Sequence, residues 1–397
     1  MLTDAQLAIV KSTVPLLESG GEALTTHFYK LLMRDYPQVH PLFNRAHQAS
    51  GDQPRALANG VLMYARHIDR LEELGPLAAQ IINKHVAVQV MPEHYPMVGD
   101  CLLRAIREVL GAEIATDAVI DAWAAAYGQL ADILIGAERQ QYDAKAEAPG
   151  GWRGARNFVV TRKVAESEEI TSFYFMPQDG GALLDFEPGQ YIGLRMVVDG
   201  LEQRRQYSLS APLRQAGQPL QYRISVKREA SGKVSRQLHD HIHVGSVVEL
   251  FPPAGDFTLT ANAKPLALIS GGVGITPMMT MLAAALPSGR PVHFIHAARH
   301  AGVHAFRREL EQLAAQHPQL QLHFCYEQAR AGDPAAHANG FIDPARLQQW
   351  LPATRDIDAY FVGPKPFMKA IKHALAELGV PAAQSRYEFF GPAATLQ

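Results

Sequence analysis

Along the first third of the chain, apolar residues return every three or four positions, the spacing of helices that bury one face. Thr3 and Gln6 make a capping box, and Leu7, Val10, Val14 and Leu17 continue one apolar face beyond it. A second helix is predicted through Leu24, Phe28, Leu31 and Leu32, stopping near Pro37. Others are expected over 55–69, 76–88 and 92–110. The clearest stripe is Val119, Ile120, Trp123, Ala126, Tyr127, Leu130, Ile133, Leu134 and Ala137. No strand-like alternation competes, so residues 1–143 are expected to form an all-α domain.

The texture changes near residue 145. The stretch Ala144-Lys145-Ala146-Glu147-Ala148-Pro149-Gly150-Gly151 has the small, polar, Gly- and Pro-containing character of a linker. Strand-like runs follow at 157–164, 171–176, 190–198, 206–210, 221–226 and 246–251, punctuated by Gly and Pro. They predict a small antiparallel β-barrel over 152–262. From 263 to the end, strands at 266–270, 291–297, 321–326 and 358–362 alternate with helices, notably 306–316 and 367–378. That alternation predicts a parallel sheet with helices on both faces. Residues 265–289 carry no charge and are long enough to cross a bilayer, but Gly271, Gly272, Gly274 and Pro277 interrupt them. A strand, a turn and a buried helix explain this run better.

Composition narrows the function classes. The 397 residues suit two or three domains, and a net charge of -2 gives no electrostatic reason to expect nucleic acid or an acidic membrane as partner. Cys101 and Cys325 are too few for a disulfide framework and fit a reducing compartment. The N-terminal residues lack the basic and apolar regions of a signal peptide, so the expected location is the cytoplasm.

Several stretches suggest chemistry. Arg205-Gln206-Tyr207-Ser208 places on a strand an aromatic ring suited to a flavin and donors suited to a phosphate or ribityl chain. Gly232-Lys233-Val234-Ser235 opens onto a short helix, where free backbone N–H groups favour an anion. Gly271-Gly272-Val273-Gly274-Ile275-Thr276-Pro277 lies between a strand and a helix, the setting of a nucleotide-binding turn. His85 sits on an apolar helix, where it is either an axial haem ligand or an ordinary core or surface histidine, one of 17. No Cys-x-x-Cys-His is present, so any haem is held non-covalently. His239, His241 and His243 would share a face on an extended segment, but here they fall at a helix end.

The chain resembles the flavohaemoglobins nearly end to end. On the globin side the resemblance rests on His27-Phe28-Tyr29, Phe43-Asn44, Gly51-Asp52-Gln53, Lys84-His85, Glu93-His94-Tyr95, and Asp121-Ala122-Trp123 through Ala126-Tyr127-Gly128. The second half resembles the ferredoxin–NADP reductase family. There it rests on Pro188-Gly189-Gln190-Tyr191, Arg205 to Ser208, Val226-Lys227-Arg228, Gly232 to Ser235, the 271–277 turn and Glu388-Phe389-Phe390-Gly391-Pro392. The resemblance makes His85 the iron ligand, with Tyr95 and Glu138 completing a network around it. Tyr29 and Gln53 would lie on the opposite, distal side, and Phe43 would pack on the porphyrin. It assigns Tyr191, Arg205, Gln206, Tyr207, Ser208, Lys227, Gly232, Val234 and Ser235 to FAD. Gly271, Gly272, Val273, Gly274, Ile275 and Thr276 would receive the nicotinamide nucleotide. Phe390 would cover the flavin ring, and Lys84 and Glu388 would lie where haem and flavin approach.

The order of domains is therefore expected to be globin, FAD barrel, then NAD(P)-binding α/β domain. The resemblance implies that NADH or NADPH reduces FAD, that FAD passes single electrons to haem b, and that the protein is a nitric oxide dioxygenase. Its partners would be O₂, NO and NAD(P)H, with no nucleic acid, no obligatory membrane and a monomeric chain. Two other readings stand beside it: an O₂-binding or sensing globin whose flavin keeps the iron ferrous, and a haem-dependent peroxide reductase. NADH is the expected donor, although Arg299 after the second strand of the nucleotide domain is placed either to meet a 2′-phosphate or to lie as a surface charge. Three residues depart from the family pattern: Pro54 after Gln53, Val362 in place of Cys near the nicotinamide, and Phe389 in place of a tail Cys.

Overall fold

A computed structural model of the chain describes residues 2–43, 51–212, 214, 217 and 219–390. It divides into two compact units, one up to Glu147 and one from Ala148 to Phe390.

The first unit is helical among its described residues. It contains α1 (Asp4–Ser12), α2 (Val14–Asp35), α3 (Asp52–Arg66), α4 (Gly75–Val88), α5 (Tyr95–Leu110) and α6 (Asp117–Glu147). The capping box forms, with Thr3 N–H donating to Gln6 Oε1 at 2.9 Å and Gln6 N–H to Thr3 Oγ1 at 3.3 Å. The first helix is shorter than its apolar face suggests. It ends at Ser12, and Val14 and Leu17 belong to α2. Pro15 explains the break, because a residue without an N–H is tolerated in a first turn but not in a helix interior. The linker is also shorter than expected, since α6 continues to Glu147. Ala144, Lys145, Ala146 and Glu147 are all good helix formers, and Pro149 and Gly150 are the first residues that are not. Phe28, Leu32, Ile106, Trp123 and Ala126 anchor the main core, while Ile82, Val86, Tyr95 and Leu134 form a second cluster. Tyr127 and Leu130 pack against both.

The second unit begins with six antiparallel strands: β1 (Arg156–Ala165), β2 (Ile170–Pro177), β3 (Tyr191–Val198), β4 (Leu201–Ser208), β5 (Tyr222–Lys227) and β6 (Val247–Leu250), in the order β4-β3-β6-β1-β2-β5. The two edges meet where Leu209 bridges Ile224 and Ser210 N–H donates to Arg223 O at 2.9 Å, closing a barrel over Phe158, Phe173, Ile192 and Leu194. α7 (Lys233–His241) follows β5. The fourth strand starts at Leu201 instead of the expected residue 206. Asp199 and Gly200 both take positive φ, 53° and 74°, as a two-residue hairpin turn requires. Glu202 to Arg205 therefore pair with β3 despite lacking apolar alternation.

A parallel sheet completes the unit. Its strands β7 (Leu266–Gly271), β8 (Val292–Ala298), β9 (Leu320–Tyr326), β10 (Ala338–Asn339), β11 (Asp358–Val362) and β12 (Ser385–Tyr387) lie in the order β10-β9-β8-β7-β11-β12. The uncharged run resolves into β7, a 3₁₀ turn and α8 (Ile275–Ala285), whose Ile275, Met278, Met281 and Leu282 are fully buried. α9 (Arg307–Gln316) shares that core through Leu310, while α10 (Pro344–Trp350) packs with α11 (Lys365–Glu377). Because the strand order reverses between β7 and β11, right-handed crossovers put these helix pairs on opposite faces. The sheet's carboxyl edge at that reversal is where such folds take ligands.

Candidate functional site

In the helical unit, α4 carries His85, α5 begins with Tyr95 and α6 carries Glu138. Glu138 is buried, and its Oε1 accepts from Tyr95 O–H at 2.6 Å and lies 2.7 Å from His85 Nδ1. The Tyr95 phenol oxygen also lies 3.2 Å from that nitrogen, and Tyr127 O–H donates to the Tyr95 carbonyl at 2.7 Å. Burial and the neighbouring Glu138 carboxylate push the Tyr95 phenol far above its ordinary range, so it remains a donor. The carboxylate thus fixes the imidazole through Nδ1. The ring is one-third exposed, at 32%, and Nε2 bonds to no protein group among the described residues. An imidazole fixed on one side and open on the other is the arrangement of a histidine metal ligand.

Tyr29 lies on α2, buried edge-on against Phe28 at 4.9 Å and Phe43 at 5.7 Å between ring centroids. Burial raises its pKa well above the ordinary value. A side-chain hydrogen bond with Gln53 acts the other way, as a donor to the phenol oxygen does. The tyrosine proton therefore remains available to another acceptor. Pro54 does not displace Gln53 from this position. It is the third residue of α3, where a missing N–H has no helical partner, and its carbonyl accepts from Thr25 Oγ1 at 2.8 Å. Lys84 is half-buried beside His85.

In the barrel, Leu194 pairs with Arg205, Ile192 with Tyr207 and Tyr191 with Ser208. Arg205 donates to Arg204 O at 2.7 Å and to Gln203 Oε1 at 3.1 Å, and no carboxylate among the described residues pairs with it. Burial lowers its pKa, and burial also raises that of Tyr207. A half-buried guanidinium without an anion is a fitting partner for a phosphate. Gly232 caps α7, leaving the first N–H groups of that helix without helical partners. Val234 and Ser235 are buried there, and Ser235 Oγ accepts from Glu229 N–H at 3.2 Å. Lys227 is held by Glu229 at 3.1 Å and Arg228 by Asp240 at 2.9 Å, so each basic group already has a carboxylate. Gln206 is exposed.

At the sheet reversal, Gly271 ends β7 and Gly272, Val273 and Gly274 form a 3₁₀ turn into α8. A Cβ on Gly274 would overlap the Val362 carbonyl, so the turn passes directly over the end of β11. Val362 is itself buried and supports this crossing through its backbone, a role that does not depend on the missing Cys. Thr276 Oγ1 donates to Val273 O at 3.0 Å, and Ile275 is buried. After β12, Glu388 and Phe389 are buried, Phe389 packing 5.7 Å from Tyr387, whereas Phe390 is 49% exposed. Phe389 thus points into the fold and Phe390 presents the free ring. Gly391, Pro392 and Asn44 lie outside the described residues.

Arg223 was not signalled beyond being a charge within the apolar run Tyr222–Lys227. It is buried, reaches Glu309 at 3.2 Å and lies 4.8 Å from the Phe306 ring, tying barrel to nucleotide sheet. Thr280 was also missed. Its Oγ1 accepts from Gly189 N–H at 3.0 Å across the same seam.

Three family models match the chain: Globin over 26–134, Oxidoreductase FAD-binding domain over 157–259 and Oxidoreductase NAD-binding domain over 268–373. A flavohemoprotein of Burkholderia sp. strain TH2 is 66% identical over 396 residues, covering 100% of both chains. The crystal structure of a flavohemoglobin from Malassezia yamatoensis with bound FAD and heme superposes with a TM-score of 0.84 at 26% identity, covering 98% of this chain and 100% of that one. The flavohem-like FAD/NAD binding domain of nitric oxide dioxygenase from Vibrio cholerae superposes with a TM-score of 0.54 at 40% identity, covering 60% of this chain and 100% of that domain.

Proposed function

Because the chain belongs to the flavohaemoprotein family, an oxidoreductase architecture of globin, FAD-binding and NAD-binding domains, we propose that it is a nitric oxide dioxygenase. The net reaction takes two NO, two O₂ and one NAD(P)H to two nitrates, NAD(P)⁺ and one proton. When bound, the nicotinamide supplies a hydride, the flavin divides it into single electrons, and the haem iron binds O₂ for reaction with NO.

The observation that carries this reading is the hydrogen-bonded chain Tyr95–Glu138–His85. A carboxylate 2.7 Å from Nδ1 makes the other imidazole nitrogen a stronger electron donor, which favours activation of O₂ over its simple storage. Tyr95 keeps Glu138 oriented by donating to the same oxygen. On the other side, Tyr29 is buried, protonated and braced by Gln53, and it donates to negative charge developing on an oxygen ligand. Phe28 and Phe43 pack edge-on against the Tyr29 ring and give it apolar surroundings. In the second unit Arg205 and the start of α7 would hold the flavin's phosphates, Tyr207 and Phe390 would offer rings to it, and the Gly272–Gly274 turn would receive the nucleotide's pyrophosphate.

Stoichiometry tests the reading. Under air, one NADH should disappear for every two NO, with nitrate as the product. Turnover with hydroperoxide exceeding that with NO would instead favour a peroxide reductase. NADH oxidation that leaves NO untouched would favour an O₂-binding globin.

A further inference from the structure

We propose that Glu169, on the turn between β1 and β2, selects NADH over NADPH by holding Arg299. Arg299 is the first residue after β8, and in the adjacent ladder Ala297 pairs with Gly271 at the start of the phosphate-binding turn. In a doubly wound sheet this strand end meets the adenine ribose, where a carboxylate accepts from a 2′-hydroxyl and an arginine accommodates a 2′-phosphate. Here both groups are present, and they are bonded to each other. Arg299 Nη2 lies 2.5 Å from Glu169 Oε2.

The pairing is built from the barrel side. Glu168 N–H donates to Gly302 O at 2.8 Å, which seats the β1–β2 turn on the loop after β8. Gly302 has no side chain, and the Glu168 carboxylate occupies the place where a Cβ would stand. Glu168 Oε1 also binds Arg330 at 2.9 Å, and Arg330 lies 2.5 Å from His300 Nε2. Two basic groups and a histidine thus gather at the strand end, and the barrel turn brings one carboxylate to each arginine. Glu169 is the fixed member of its pair, with 18% of its side chain exposed against 60% for Arg299. Its carbonyl is further held by Arg228 N–H at 2.8 Å.

An incoming 2′-phosphate would meet a neutralised arginine and a carboxylate that repels it. A ribose with a free 2′-hydroxyl can donate to that same carboxylate. Because ion pairs this exposed add little to stability, removing either partner should leave the fold intact. The inference rests on the nucleotide-binding fold alone and is independent of NO chemistry.

The test is calorimetric binding of 2′,5′-ADP and 5′-AMP to the full-length protein loaded with haem and FAD. The wild type should bind 5′-AMP at least about tenfold more tightly than 2′,5′-ADP. Glu169→Gln should raise affinity for 2′,5′-ADP about tenfold with 5′-AMP changed less than about threefold, and the KM for NADPH should fall in parallel. Adding Arg299→Ala to Glu169→Gln should abolish the gain. Glu169→Ala serves as a second variant, with thermal unfolding confirming that each is folded. Equal wild-type affinity for the two ligands, no gain in either Glu169 variant, or a gain that survives loss of Arg299 would overturn the proposal.

Discussion

Replacing Glu138 by Gln keeps its shape and removes its charge, which isolates the part of the proximal network that acts electronically. Glu138 Oε1 takes two short bonds, 2.6 Å from Tyr95 and 2.7 Å from His85, and both end on a buried carboxylate. Hydrogen bonds to charged groups contribute about 1.5–3 kcal/mol and neutral ones about 0.5–1.5 kcal/mol, so each bond weakens by roughly 1–1.5 kcal/mol. Only the His85 bond senses the charge on an iron ligated by that imidazole. The carboxylate stabilises the more positive ferric state, so its loss should raise the haem midpoint potential. A change of about 1.4 kcal/mol corresponds to roughly 60 mV for one electron. Potentiometric titration of the haem-loaded protein measures this directly, and denaturant unfolding should show a loss of about 2–3 kcal/mol from the two bonds together. A haem-loaded variant with an unchanged midpoint would refute the argument that Glu138 tunes the ligand.

Other residues give separate tests. Tyr95→Phe removes the donor that keeps Glu138 oriented; it should lower stability by about 1.5–3 kcal/mol by denaturant titration and broaden the spectroscopic signature of the histidine–iron bond. Gly274→Ala drives a methyl into the Val362 carbonyl, so NADH should reduce the flavin at least about tenfold more slowly in stopped flow while FAD remains bound. The fully buried His296 has its pKa lowered by burial to about 3. Its unfolded form takes a proton below about 6.5 while the folded form does not, so its contribution is present above that pH and is lost as pH falls from about 6.5 toward 3, by up to about 1.4 kcal/mol per unit. Guanidinium titrations of the second unit's unfolding at pH 7.5 and 5.5 should show this decline, and His296→Gln should lessen it, the remainder coming from His293, His304, His323 and His337, whose pKa values burial also lowers.

The sequence carried the domain types because their periodicities differ: period 3.6 through Ala137, short punctuated strands, then strand–helix alternation. Boundaries were lost where local chemistry outweighed periodicity. Pro15 divided an apolar face that looks continuous, and Ala144 to Glu147 read as a linker although each favours helix. The full length of β4 was hidden by its polar residues, yet Asp199-Gly200 was a legible hairpin signal. β12 and α10 were too short to stand out. At the site, His85 and Tyr29 had ordinary readings as helix residues. Their partners, Glu138 and Gln53, are 53 and 24 positions away, and only folding or family likeness joins them. Glu169 and Arg299 are separated by 130 positions, so nothing local announced their pairing.

Consumption of NO with O₂ through an iron site served by Tyr29 is what distinguishes a dioxygenase from an O₂ carrier. Its most direct test is the decay of NO under air, followed by electrode with saturating NADH, in wild type and Tyr29→Phe. A hydrogen bond to developing negative charge contributes about 1.5–3 kcal/mol, so the expected result is rapid conversion to nitrate in wild type and a loss of roughly 10- to 100-fold in the variant, with flavin reduction unchanged. NO decay no faster with the enzyme than without it, or equal rates in the two proteins, would contradict it.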